Sequence, residues 1–165
     1  MAEHAGSAPK SVVDSAKKAN SEREILAKND LDDRFDEVWV VFDTEGPGNT
    51  DRDRQARDAV ERARQLNFHT AVSNPCFEYW LILHFEYFTK AIADSAEACK
   101  RLKKHIQDYH KNRECYSSTK SKLKTAIIHA KRVRKERCEH LGSHPCDCHP
   151  STEIDLLVAS LLGDN

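Results

Sequence analysis

From Ser11 to Lys28, Val12, Val13, Ala16, Ile25 and Leu26 recur among Ala, Glu and Lys, a pattern of modest amphipathicity that predicts a helix. After an acidic connector, Val38-Trp39-Val40-Val41-Phe42 forms a short unbroken run of β-branched and aromatic residues. Such a run, ended by Asp43 and a Gly-Pro-Gly loop, predicts a strand covered on both faces. Asp51 to Leu66 places Ala56, Ala59, Val60, Ala63 and Leu66 on one side of a helix and five Arg on the rest. Asn67 to Val72 reads as a second strand. Pro75 then suits the first turn of a helix from Cys76 to about Phe88, apolar nearly all round and therefore buried. Strand, helix, strand, helix predicts a right-handed βαβ unit and an α/β fold class with a parallel sheet core. Helices are expected at Asp94–His110, Ser117–Arg137 and Thr152–Leu162, so the C-terminal part is helical.

Composition narrows the class. A chain of 165 residues with 39% hydrophobic and 32% charged residues is sized for one globular domain. Residues 1–10 are small and polar and read as a flexible end; residues 11–165 read as a single domain. No apolar run approaches the roughly 20 residues of a membrane span, and Met1 to Lys10 lacks the apolar core of a secretion signal. Six Cys without such a signal point to thiols or metal ligands in a reducing compartment. These features predict a cytoplasmic protein.

Charge changes the picture further. The net charge of −1 hides a segregation: residues 100–137 hold 14 Lys/Arg against 3 Asp/Glu, while both flanking parts are acidic. A basic block on an acidic chain is either a solvated helix face or the footprint of a polyanion. Lys131, Arg132, Arg134 and Lys135 are the candidate contacts to DNA or RNA phosphates.

In open parallel sheets ligands bind beyond the carboxyl ends of the strands. The first strand delivers Asp43 and Glu45 to that edge, the second delivers Ser73 and Asn74, and Glu78 opens the next helix. Asp43-x-Glu45 offers two hard oxygen ligands for Mg2+ or Mn2+; the plainer reading is a polar turn capping the strand. Cys138, His140, His144, Cys146, Cys148 and His149 place six soft or borderline ligands in twelve residues, within an insertion at 138–150. They are candidates for structural Zn2+, or for no more than an inserted loop. Trp39, Phe77, Trp80 and Phe85 are expected in the core, and Cys76, Cys99 and Cys115 as ordinary small residues.

Asp36-Glu37-Val38-Trp39-Val40-Val41-Phe42-Asp43, Ser73-Asn74-Pro75-Cys76-Phe77-Glu78-Tyr79-Trp80-Leu81-Ile82-Leu83-His84-Phe85 and Pro150-Ser151-Thr152-Glu153-Ile154-Asp155-Leu156-Leu157-Val158 resemble, in order and spacing, three blocks of the RloB family. That family is a Toprim-like group of prokaryotic defence loci, often encoded beside an ATPase. The shorter string Phe42-Asp43-Thr44-Glu45 also resembles the first motif of DnaQ-like exonucleases, without that fold's further acidic motifs. The RloB resemblance implies a Toprim-type core flanked by helices and a Mg2+-dependent nuclease, or nuclease subunit, in antiphage defence. Asp43 and Glu45 would hold the metal, with Asp43, Glu45 and Glu78 as the catalytic set and Ser73 and Asn74 positioning the phosphate. It implies an ATPase partner, and leaves a homo-oligomer open. Two departures mark this chain: Asp43-Thr44-Glu45 stands where the family shows D-x-D, and no strand ending in the usual Toprim Glu precedes Ser11. The alternative is a non-catalytic nucleic-acid-binding or regulatory subunit.

Overall fold

The computed structural model describes residues 8–28, 34–46, 50–111, 114–138 and 144–163. Helix α1 (Pro9–Leu26) starts with proline in its first turn, where a missing N–H costs nothing. Pro9 and Val13 are buried in it, so described order begins inside the stretch expected to be a flexible end. Strand β1 (Trp39–Asp43), helix α2 (Thr50–Gln65) and strand β2 (His69–Asn74) form the predicted βαβ unit. Its strands are parallel, with Trp39 opposite His69 and Asp43 opposite Ser73.

The second strand thus runs two residues further than its apolar pattern suggests, and Ser73 and Asn74 belong to it. The extension is explained by a third strand. β3 (Ser151–Thr152) pairs antiparallel to β2, Ser73 opposite Thr152 and Asn74 opposite Ser151. The sheet is therefore small, open and mixed, in the order β1-β2-β3, where a parallel core was expected. Two residues are too few to carry a period, so β3 is invisible to pattern reading.

Side chains alternate across this sheet. Val40, Phe42 and Val72 meet Val13 of α1 and Ala56, Ala59, Val60 and Ala63 of α2. Ala71 faces the larger core, built on α3 (Glu78–Leu83), α4 (Ser95–Leu102) and α6 (Leu123–Cys138). β1 lies at the sheet edge: on its second face Trp39 packs on the larger core while Val41 is 41% exposed, so that face is covered only in part. An unbroken apolar run does not reveal which strand ends up at an edge.

α3 spans six residues, all buried, instead of the thirteen expected. It starts at Glu78, so Pro75 lies outside the helix and not in its first turn. α4 is capped by Asp94, whose side chain accepts the Glu97 N–H at 2.8 Å, while Glu97 accepts the Ala93 N–H at 2.8 Å. It ends at Leu102, and irregular turns carry the chain on to buried Tyr109. α5 (Tyr116–Thr119) and a 3-10 turn lead into α6. α7 (Ile154–Leu162) stops at Gly163, in the left-handed conformation that commonly ends helices. Gly46 has a positive φ of 92°, and a Cβ there would stand 2.6 Å from the Ala93 carbonyl oxygen. Only glycine allows the loop after β1 to lie so close to the start of α4. Among the described residues no helix is long and apolar enough to cross a membrane.

Candidate active site

Asp43 ends β1 beside Ser73 of β2, and the two chains stay tied beyond the strands. The Thr44 N–H donates to the Ser73 carbonyl at 3.0 Å and the Glu45 N–H to the Pro75 carbonyl at 2.8 Å. This brings the segment entering α3 over the strand ends. There the backbone N–H of Phe77 comes near enough to the Asp43 carboxylate to favour its ionised form. Burial pushes the Asp43 carboxyl up to about 6; the Phe77 N–H and the Lys111 ammonium draw it down, while Glu78 and Glu45 press it further up.

Glu78 is 5% exposed, an uncommon place for a carboxylate without partners. It has several. The Tyr109 hydroxyl donates at 3.1 Å and the Cys99 thiol at 3.6 Å, both to Oε1. The Cys76 thiol lies near Glu78, and burial first, then Glu78, push that thiol up. Burial and Glu78 raise the Tyr109 hydroxyl in the same way. Asp43 and Glu78 thus form an acid pair near the carboxyl edge of the parallel strands, close enough for the Glu78 charge to press on Asp43, with Glu78 held by a phenol and a thiol. Nothing in the sequence singles out Tyr109 or Cys99, which lie 31 and 21 residues from Glu78.

The other candidates sit differently. Glu45 takes a positive φ of 68°, and its carboxylate pairs with Arg52 of α2 at 2.8 Å. Ser73 shares a 3.0 Å hydrogen bond with the Thr152 hydroxyl. Asn74 donates to the Cys146 carbonyl at 3.0 Å and is bonded through Oδ1 to His149 Nδ1 at 2.8 Å. Both side chains therefore tie β2 to the C-terminal segment. Among the described residues no group of three or more His, Cys, Asp or Glu stands together as a metal cage. Mg2+ often relies on one or two carboxylates, with water and phosphate filling the rest. The hard oxygens of Asp43 and Glu78 fit that mode.

The described residues of the Cys/His segment do not gather into one cluster. The sulfurs of Cys138 and Cys148 are bonded, with Cα atoms 5.2 Å apart, where thiols or metal ligands were expected. The end of α6 and the turn before β3 meet at a separation that suits a disulfide. Cys146 is buried against α2, and His144 Nδ1 accepts the Cys146 N–H at 3.2 Å. His149 is held by Asn74, and His140 lies outside the described residues.

On α6 the four basic candidates divide. Arg134 makes a two-pronged ion pair with Asp155, itself 3% exposed, and donates to the Thr152 carbonyl at 2.9 Å. Arg132 pairs with Glu136 at 2.9 Å and lies 4.2 Å over the Tyr87 ring. Lys131 and Lys135 are exposed, on the wall of a cleft of about 520 Å3 that includes Ser151 and Glu153.

A family model described as RloB-like protein matches residues 1–161. The chain belongs to the RloB-like family. Comparison with the curated proteins and with the solved structures finds no match. In this RloB-like protein the three blocks quoted from the sequence meet at one place. Asp43, Ser73 and Thr152, one from each block, stand side by side in register across β1, β2 and β3.

Proposed function

We propose that this RloB-like protein is a divalent-cation-dependent, Toprim-type nuclease, or the nuclease subunit of an antiphage complex with an ATPase, acting on DNA or RNA. The observation that carries this reading is the acid pair: Asp43, its carboxyl raised to about 6 by burial, beside buried Glu78 at the carboxyl edge of two parallel strands. Asp43 and Glu78 would hold Mg2+ or Mn2+, which when bound supplies Lewis-acid stabilisation of the phosphate and an acidified water. Tyr109 and Cys99 fix the Glu78 carboxylate by donating to it. The nearby Phe77 N–H and the Lys111 charge favour the ionised form of Asp43 that a cation needs. Ser73 and Asn74 hold the strand ends, and Lys131 and Lys135 offer charges to the phosphate backbone.

Incubating the protein with single- and double-stranded DNA and RNA tests this. Cleavage is expected with Mg2+ or Mn2+, and its loss in EDTA and in folded Asp43→Ala. Cleavage that persists in either condition overturns the metal-nuclease reading. A second reading, a non-catalytic nucleic-acid-binding subunit, draws on the engagement of Glu45 by Arg52, which leaves the acid pair without a third carboxylate. It expects nucleic-acid binding and no cleavage under any metal.

A further inference from the structure

On α3, which Glu78 opens, the surface forms a groove of about 280 Å3 against the α5–α6 corner. Phe77, Trp80, Leu81, Tyr116, Leu123 and Val158 line it. Two of its aromatic rings face solvent: Phe77 is 41% exposed and Tyr116 68%, although Phe77 reads from sequence as a core residue. Exposed rings carry a hydrophobic cost, so a pair of them around one groove marks a contact surface. Phe77, which lines the groove, directly precedes Glu78 in the chain, so the groove adjoins the start of α3 that carries the second acid. The lining is largely apolar, with a single cation, Lys120.

We infer that this groove receives one unpaired nucleobase next to the phosphate held at the acid pair, so that the substrate is single-stranded or locally unpaired nucleic acid. The inference rests on the nuclease reading for the position of that phosphate. Aromatic rings beside lysines are the usual means of holding a single strand, since every base offers a flat face and every linkage a charge. A duplex keeps its bases stacked and paired, away from such a groove. The volume falls below the roughly 300–1,000 Å3 of pockets for drug-sized ligands, room for one flat ring system and too little for a helix.

The test is equilibrium binding in EDTA, read by fluorescence anisotropy on a labelled single strand, its duplex and the same strand carrying abasic positions. Wild type should prefer the intact single strand to both others. Tyr116→Ala should weaken single-strand binding about 10-fold and leave duplex binding unchanged. Phe77→Leu, which keeps the apolar volume and the backbone N–H, should weaken it in the same direction. Tyr116 is exposed, so its variant should keep the wild-type melting temperature. Equal affinity for strand and duplex, or wild-type binding by both variants, overturns the inference and leaves the groove to an apolar segment of a protein partner. Cleavage decides the other reading separately. Asp43-dependent cleavage with Tyr116-independent binding sinks the groove alone; Tyr116-dependent binding without metal-dependent cleavage sinks the nuclease alone.

Discussion

Ionised Asp43 is costly where it sits, because burial withdraws water that no protein cation fully replaces. Its carboxyl lies at about 6 in the fold against an ordinary value near 3.9 in an unfolded chain. The folded state therefore holds the proton more tightly, and stability falls as pH rises through that interval. Asp43→Asn removes the ionisable group and keeps an acceptor near the Phe77 N–H. Urea unfolding should find the variant about 1–3 kcal/mol more stable than wild type at pH 7.5, with the difference gone near pH 4. Equal stabilities at pH 7.5 would mean that water reaches the carboxylate freely. Arg134 poses the opposite case. Its partner Asp155 is buried, so Arg134→Ala should cost about 3–5 kcal/mol by leaving that charge unpaired. Lys131→Ala, with an exposed side chain, should change stability by less than about 0.5 kcal/mol in the same unfolding measurement.

At the scale of elements, α6 and the C-terminal segment are joined twice, by the Arg134 contacts and by the Cys138–Cys148 bond. A bond across a separation of 10 residues removes loop entropy from the unfolded chain, worth about 2–3 kcal/mol. Dithiothreitol should lower stability by that amount, and a zinc chelator should leave it unchanged. The reverse pattern, sensitivity to the chelator alone, would favour the zinc reading of these cysteines. The elements most legible in the sequence are those with a long period: α1, α2, the βαβ order and α7. α3 came out short because an apolar stretch such as Phe77–Phe85 does not distinguish a helix from buried turns. Of the Cys/His segment, spacing reveals the ligand types and not their convergence. Cys146 and Cys148 are two residues apart, yet one packs on α2 and the other bonds to α6.

For the whole molecule, the basic block of 14 Lys/Arg is divided between structure and surface by its ion pairs. Arg134 is engaged within the fold and Arg132 pairs with Glu136 on the exposed side of α6, while Lys131 and Lys135 face solvent. Lys131→Gln with Lys135→Gln should weaken binding to unrelated sequences about equally. The log–log salt slope should shrink by roughly 1–2 if both contact phosphates. Anisotropy titrations at several salt concentrations measure it. An unchanged slope would make this part of α6 a solvated face.

Sequence alone determined the family through three ordered blocks, the α/β class through the strand-helix-strand order, and Asp43 and Glu78 as acids near one sheet edge. Those features are local: each depends on residue types within a few turns of chain. Tertiary structure decided what the acids face. Tyr109, Cys99 and Cys76 gather on Glu78, Arg52 engages Glu45, and the C-terminal strand brings Thr152, Cys146 and His149 onto Ser73 and Asn74. It also left the rings of Phe77 and Tyr116 in solvent. The reason is physical. Burial, ion pairing and hydrogen-bond partners depend on contacts between segments tens of residues apart, and no period or composition within one segment records them.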